Sequence, residues 1–292
     1  MKVVIIGGTG LIGRKLATKL QSGGQDVVAA SPSTGVNSLT GEGLKKVLTG
    51  ANVVVDVTNS PSFEDNAVLD FFRSSTGHLL SAAKAAGVSH YIALSVVGSD
   101  RIRDSGYLRA KRVQEGLIEA SGIPYTVLRA TQFFEFLKAT ADAGTEGTVV
   151  YMSPSKFQPV AADDVAATLA EIATAQPKNG VVELAGPEAS SMAEFIQRFL
   201  SSMGDERKVI PDPDAKYFGA VLDKDGLAPL GQFIAGPTHL PIGHAPNAER
   251  PHQKESHREE DRFPAACRRL TAIDKCGSAG DECGGAEGDE NL

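Results

Sequence analysis

The sequence predicts an α/β protein built on a doubly wound parallel sheet, and three observations carry that expectation. Short aliphatic runs alternate with stretches of helical character as far as about residue 150, the signature of repeated βαβ units. The first run, Lys2-Val3-Val4-Ile5-Ile6, leads through a glycine turn, Gly7-Gly8-Thr9-Gly10-Leu11-Ile12-Gly13, into the start of a helix. The helical stretches also stop where their chemistry says they should: Gly23-Gly24 ends the first, Gly87 the third, and Gly122 before Pro124 the fourth.

Strands are expected at 2–6, 26–30, 52–57, 90–95 and 124–129. Helices are expected near 11–22, 41–49, 64–86, 105–121 and 131–142. From 145 to 210 the elements shorten. Val149-Val150-Tyr151 and Gln158-Pro159-Val160 read as short strands, and Asp163 is an N-cap candidate for a helix at 164–174. Val181–Leu184 reads as another strand before a helix at 191–203. The expected organisation is a nucleotide-binding domain over 1–144, a small α+β substrate-side domain over 145–238, and a tail over 239–292. That tail has only six large apolar residues among 54 (Leu240, Ile242, Phe263, Leu270, Ile273, Leu292), too few to offset its ordering entropy, so disorder is predicted.

A net charge of −7 argues against nucleic acid as a partner. No apolar run approaches the roughly 18 residues of a membrane span, and Gly7-Gly8 interrupts the first run too early for a signal peptide, so no membrane partner is expected. All three cysteines (Cys267, Cys276, Cys283) lie in the tail, which fits a reducing cytoplasm. The gap between Cys276 and Cys283 is wrong for a zinc knuckle completed by His257, so no metal is expected. His78 and His90 have no partner pattern and read as structural or solvent-exposed.

The glycine turn is the first candidate site. A helix N-terminus reached through glycines presents free N–H groups and partial positive charge to a phosphate. Gly7, Gly10 and Gly13 give a G-x-x-G-x-x-G spacing, one residue removed from the usual dinucleotide fingerprint. NAD sites usually carry an acid about 20 residues past the glycines to bind the ribose 2′-OH. Here the second strand ends in Ser31-Pro32-Ser33-Thr34, with no acid before Glu42, and Asp26 sits at the strand's wrong end. Ser31, Ser33 and Thr34 leave room for a 2′-phosphate and can donate to it, and Arg14 adds charge, so NADP(H) is favoured while NAD(H) stays open. An ordinary turn at 31–34 is the plain alternative.

The second constellation is Ser95, Tyr107 and Lys111. Ser95 ends the fourth strand, at the carboxyl edge where doubly wound sheets bind ligands. Tyr107 and Lys111 are four apart on one helical face. A nearby ammonium favours the phenolate and lowers a tyrosine from about 10, which makes Tyr107 a workable proton donor to a carbonyl oxygen receiving hydride. Ser95 is placed to orient the same carbonyl.

Together the glycine turn, Ser95 and Tyr107-x-x-x-Lys111 resemble the short-chain dehydrogenase/reductase superfamily, and more specifically its atypical NmrA-like branch of NAD(P)-binding Rossmann proteins. Ala93-Leu94-Ser95-Val96-Val97-Gly98, Pro124-Tyr125-Thr126-Val127-Leu128-Arg129, Asp163-Asp164-Val165-Ala166 and Leu184-Ala185-Gly186-Pro187-Glu188 extend the resemblance over about residues 1–235. It implies Tyr107 as acid, Lys111 as ribose-binding base and Ser95 as the third member. It also implies Asn59 and Ser60 on the adenine and ribose side, and the stretch from Arg129 through Thr131, Gln132 and Phe133 beside the nicotinamide. Phe133, Phe134 and Phe136 are read as an apolar pocket for a flat carbonyl or, for one or two of them, as core.

Two functions follow. One is an NADPH-dependent reductase of a small-molecule carbonyl or quinone; the other is a non-catalytic NADP(H) sensor acting through a protein partner, as some members of that branch do. Sugar-nucleotide epimerase chemistry uses the same triad, but the segment after 145 is short for such a substrate.

Overall fold

Strand side chains alternate between two faces, so runs that are apolar throughout require helices on both sides of a sheet. In the computed structural model, which describes residues 1–240, the chain begins with β1 (Lys2–Ile6), α1 (Leu11–Ser22), β2 (Asp26–Ala30), α2 (Leu44–Leu48) and β3 (Val53–Asp56). It continues through α3 (Asp65–Ala85), β4 (His90–Val96), α4 (Gly106–Glu119), β5 (Tyr125–Ala130) and α5 (Leu137–Ala143). Next come β6 (Thr145–Glu146), β7 (Val149–Met152), β8 (Lys156–Phe157), α6 (Ala162–Thr174) and β9 (Gly180–Ala185). Last are β10 (Ser190–Ser191), α7 (Met192–Ser202), β11 (Lys208–Pro211), β12 (Lys216–Tyr217), β13 (Ala220–Val221) and β14 (Ile234–Ala235).

Seven strands form the central sheet in the order β2-β1-β3-β4-β5-β9-β14, every neighbouring pair parallel. This is the doubly wound sheet the sequence predicts. Val3, Ile5, Val53, Val55, Ile92 and Leu128 pack on one face with α1 and α6. Val4, Ile6, Val54, Tyr91, Ala93 and Val127 pack on the other with α2 and α3. The chain leaves β1 for β2 on one side and crosses to β3 on the other, so the strand order reverses beside β1. A crevice at the carboxyl ends of such strands is where ligands bind in open α/β sheets.

A second core lies beyond that carboxyl edge, where Phe157, Met192, Phe195, Ile196 and Leu200 meet Ile102 and Leu108. Helix α7 is started by a capping box: Glu194 N–H donates to Ser191 Oγ (3.2 Å) and Ser191 N–H donates back to Glu194 Oε2 (3.3 Å).

Four expectations change. The chain after 144 does not stay apart from the sheet: α6 covers one face and β9 and β14 extend the edge, while the second core borrows Ile102 and Leu108 from the earlier segment. The helix expected over 131–142 becomes an extended stretch, a single 3-10 turn at Phe134–Phe136, and α5. Its backbone is taken by Val160, whose N–H donates to Gln132 O (2.8 Å) and whose O accepts from Phe134 N–H (3.0 Å). The strand expected at 158–160 is thereby reduced to an isolated bridge between Phe133 and Val160. Asp163 is not the N-cap of α6. Ala161 holds that position, and Asp163 sits in the first turn paired with Lys15 at 2.8 Å, where a negative charge complements the helix dipole.

His78 and His90 both have structural partners: His78 Nδ1 lies 3.2 Å from Ser38 O, and His90 Nε2 lies 2.9 Å from Thr126 Oγ1. Burial lowers His90 to about 4 and keeps it neutral. Among the described residues no helix is long and apolar enough to cross a membrane. The disorder expected from 239 onward, and the Cys276, Cys283 and His257 question, lie from residue 241 outside the described residues.

Candidate functional site

The glycine turn sits at the carboxyl edge because the ends of β2 and β3 hold it there. Gly7 and Gly8 N–H both donate to Ala30 O, at 2.9 and 3.0 Å. A Cβ on Gly7 would lie 2.9 Å from Val57 O, and Gly7 has φ +84°, a left-handed conformation that glycine adopts without strain. Gly13 is tighter still: its Cβ would stand 2.3 Å from Gly7 O. Gly10 is less crowded, with 3.3 Å from its Cβ position to Gly7 O, a tight contact that a small shift relieves.

Gly10 is the N-cap of α1, with no capping side chain and no acid in the first turn. The first intrahelical bond is Arg14 N–H to Gly10 O (3.0 Å). The N–H groups of Leu11, Ile12 and Gly13 therefore have no helical acceptor and face an anion position. Thr9 is half-buried beside them. This backbone cradle fits a dinucleotide pyrophosphate.

Ser31, Ser33 and Thr34 fold into a 3-10 turn at the end of β2. Thr34 Oγ1 accepts from Ser31 N–H (2.9 Å) and donates to Ser31 O (3.0 Å), and the Ser31 and Ser33 hydroxyls lie 2.8 Å apart. The turn carries hydroxyls and no carboxylate beside the cradle. Asn59 and Ser60 follow β3 in a loop folded on itself, with Ser60 N–H on Asn59 Oδ1 (3.0 Å) and Ser62 N–H on Ser60 Oγ (3.2 Å). That loop starts at Val57, the residue whose carbonyl Gly7 approaches.

The Tyr107 end of this edge is built from side chains. Gly106, at the start of α4, lets α3 come close: a Cβ there would lie 1.9 Å from Asp65 Oδ1. Arg109 seals the approach with a 2.6 Å bond to Asp65, and Tyr107 is thereby set among rings. Its ring stacks on Phe218 (5.4 Å, 24°) and lies 5.5 Å from Phe63 and 6.2 Å from Phe72. Burial raises its hydroxyl above the usual tyrosine value, and no neighbouring charge contributes. The expected lowering by Lys111 is therefore absent in this structure.

Lys111 is turned elsewhere. Its Nζ donates to Leu94 O (2.8 Å) and to Gln114 Oε1, and sits 4.3 Å over the Phe72 ring. Burial lowers this ammonium to about 8 against the pull of Asp56 and Glu115. Gln114 in turn donates to buried Asp56 (3.0 Å), which also accepts from Thr58 and Tyr91.

Ser95 is committed too. Its hydroxyl donates to Glu115 Oε1 at 2.6 Å, alongside Ser99 (3.0 Å) and Arg129 Nε (3.0 Å). Arg129 closes a bidentate pair with Glu115 (2.7 Å) and reaches Asp100 (2.6 Å). The Ser95 proton is thus engaged by Glu115 in this structure.

Thr131, at the end of β5, donates to Gln158 O (2.7 Å). Next to it, Gln132 Oε1 is buried with no hydrogen-bond partner, an orphaned acceptor of the kind a bound donor would satisfy. Phe133 and Phe136 stack on each other (5.7 Å, 25°), whereas Phe134 stacks on Phe195 in the second core. Phe134 packs on the second core and Phe133 on the main one, while Phe136 is exposed. A cleft of about 460 Å³ opens at the opposite, amino edge beside His90 and Asn179, away from these groups.

Spacing alone missed four groups. Gln114 and Glu115 stand three and four residues past Lys111 and share its helix face, a legible signal. Phe63 and Phe218 come from distant segments and left none.

Residues 7–176, more than half of the chain, match the family model described as NAD(P)H-binding. The chain belongs to that NAD(P)H-binding family. The NmrA-like resemblance stands with this membership. The photosystem II assembly factor Ycf39 of Cyanophora paradoxa is 26% identical over 240 residues, covering 74% of this chain and 73% of its own. A (4-alkanoyl-5-oxo-2,5-dihydrofuran-3-yl)methyl phosphate reductase of Streptomyces griseus is 28% identical over 219 residues, 69% of this chain and 74% of the relative. Among solved structures, an NADPH-dependent quinone oxidoreductase (QOR2) from Escherichia coli superposes with a TM-score of 0.54 at 22% identity, over 72% of this chain and 78% of that one. That last likeness concerns the fold.

Proposed function

We propose that this NAD(P)H-binding chain is an NADPH-dependent reductase of a carbonyl or quinone, with Tyr107 as the proton donor. The observation that supports it most is the glycine cradle beside a β2 end with hydroxyls and no acid, on the same sheet edge that α4 overhangs with Tyr107 and Lys111. Leu11, Ile12 and Gly13 hold the pyrophosphate through backbone N–H groups. Ser31, Ser33, Thr34 and Arg14 favour a 2′-phosphate, so NADP(H) is preferred over NAD(H). Asn59 and Ser60 border the adenine-side ribose. Lys111 would have to leave Gln114 to bind the nicotinamide ribose, Gln132 accepts from a bound amide or hydroxyl, and Thr131 ties the end of β5 in place. Phe133 and Phe136 offer apolar surface to the substrate. Hydride is what the cofactor supplies when bound; Tyr107 delivers the proton to the carbonyl oxygen. A cysteine-free body over 1–266 suits a reducing cytoplasm.

The test is NADPH oxidation with a panel of quinones and aldehydes, comparing wild type with Tyr107→Phe. Turnover is expected to fall by roughly 10²–10⁴ while NADPH affinity holds. Wild type that oxidises no NADPH across the panel contradicts the enzyme; unchanged turnover in the variant removes Tyr107 as the acid.

The internal commitments of Lys111 and Ser95 support a second reading, a sensor that reports the NADP(H) redox state to a protein partner. It requires NADPH and NADP⁺ to bind with different affinities, because a ligand pair without that difference shifts no equilibrium. Equal dissociation constants eliminate it.

A further inference from the structure

The hairpin of β12 and β13 turns through Phe218 and Gly219, both in the left-handed region at φ +47° and +82°. Such a pair makes the turn that matches hairpin twist, but its first position favours Asn, Asp or Gly. An aromatic residue there is strained, and strain of this kind persists only where the surroundings enforce it. The surroundings are rings: Phe218 stacks on Tyr107 and lies 5.4 Å from Phe63. The two strands pair only with each other among the described residues, while Ala220 and Leu222 anchor the base of the hairpin in the second core. The tip is held down through Phe218 and through its neighbour Tyr217, whose ring lies 4.7 Å from Phe218 and packs on the second core.

We propose that Phe218 is a lid over Tyr107, and that the substrate carries a flat conjugated ring that takes the place of Phe218 against the Tyr107 and Phe63 rings. This deepens the reductase reading and rests on it. Lifting the tip bares the adjoining Tyr107 and Phe63 rings, whose centroids lie 5.5 Å apart, with Phe72 6.2 Å from Tyr107. Aromatic surfaces of this kind favour an offset-stacked or tilted aromatic guest. The same movement releases the Phe218 strain and bares more of the half-buried Tyr107 side chain. A conjugated carbonyl lying there brings its ring to the stack and its oxygen toward the Tyr107 hydroxyl.

Chemical accessibility of Tyr107 tests this without turnover. The chain has five tyrosines and no tryptophan, so nitration by tetranitromethane can be mapped residue by residue, with fully buried Tyr91 as the protected reference. Phe218→Asn removes the ring and keeps a residue suited to the left-handed turn, and Phe218→Gly repeats the comparison. Tyr107 is expected to nitrate roughly tenfold faster in both variants than in wild type, the loss of one aromatic contact. A dimethylated naphthoquinone is expected to restore protection in the variants, and cyclohexanone is not. Equal Tyr107 rates in wild type and both variants overturn the lid, and equal protection by both compounds overturns the flat-ring preference. Failure of the reductase reading shows separately, as absence of NADPH oxidation by wild type, and leaves these rates interpretable.

Discussion

At the glycine turn the backbone makes the site, and at Tyr107 side chains make it, although both lie on the same edge of one sheet. The cradle follows from what glycine lacks: Gly8 and Gly13 have no room for a Cβ, with 2.6 Å to Ala29 Cα and 2.3 Å to Gly7 O respectively. The helix N–H groups then point at an anion whatever the neighbouring side chains do. The reaction side depends on which partner each side chain takes. Glu115 takes Ser95, Gln114 takes Lys111, and Phe218 covers Tyr107. Backbone sites can be read from residue type and spacing; side-chain sites need the tertiary partners.

The comparison can be sharpened first by removing the group that organises the reaction side. Glu115→Ala leaves Arg129 buried without its bidentate partner, and loss of one member of a buried pair costs about 3–5 kcal/mol. Urea unfolding reads that loss, and cofactor affinity in the folded protein is expected to hold, because the cradle is made elsewhere. Acid adds a second check on the same group. Burial alone would raise the Glu115 carboxyl, but hydrogen bonds from Arg129, Ser95 and Ser99 and the Arg129 charge hold it below the usual glutamate value. Its contribution is therefore full above the unfolded value and lost as pH falls through the lower folded one. The stability gap between wild type and Glu115→Gln is expected to be flat above about pH 5 and to narrow on acidification. A gap that widens in acid contradicts the assignment.

A smaller effect is expected at the 2′ position. Ser33→Asp places a carboxylate where a 2′-phosphate is proposed and should lower the preference for NADPH over NADH roughly tenfold, a modest like-charge repulsion near a surface. Paired titrations with the two cofactors measure it, and an unchanged ratio moves the 2′-phosphate elsewhere. The smallest change is expected from Gly10→Ala, whose Cβ meets nothing closer than 3.3 Å; stability should stay within about 0.5 kcal/mol of wild type. A large loss there would mean that the cradle is tighter than its geometry indicates.

Legibility followed the same division. The five N-terminal strands and the glycine loop were readable because parallel strands buried on both faces are aliphatic throughout and because glycine marks close backbone approach. The stretch at 131–136 was not, since Val160, far along the chain, takes the backbone groups a helix would have used. Strand β9 read correctly as a strand, but nothing local showed that it would join the main sheet beside β5. At the site, Tyr107-x-x-x-Lys111 gave the helix face. It could not show that Gln114 and Leu94 hold the ammonium, or that Phe63 and Phe218 arrive over the phenol.

The central claim, that a dinucleotide rests on a cradle of backbone N–H groups, is tested most directly by titrating NADPH into wild type and Gly13→Ala, each shown to be folded. Overpacking of this kind costs about 1–3 kcal/mol, and if it displaces the N–H groups NADPH should bind at least tenfold more weakly in the variant. Equal affinity in the two proteins would place the cofactor somewhere other than the glycine turn.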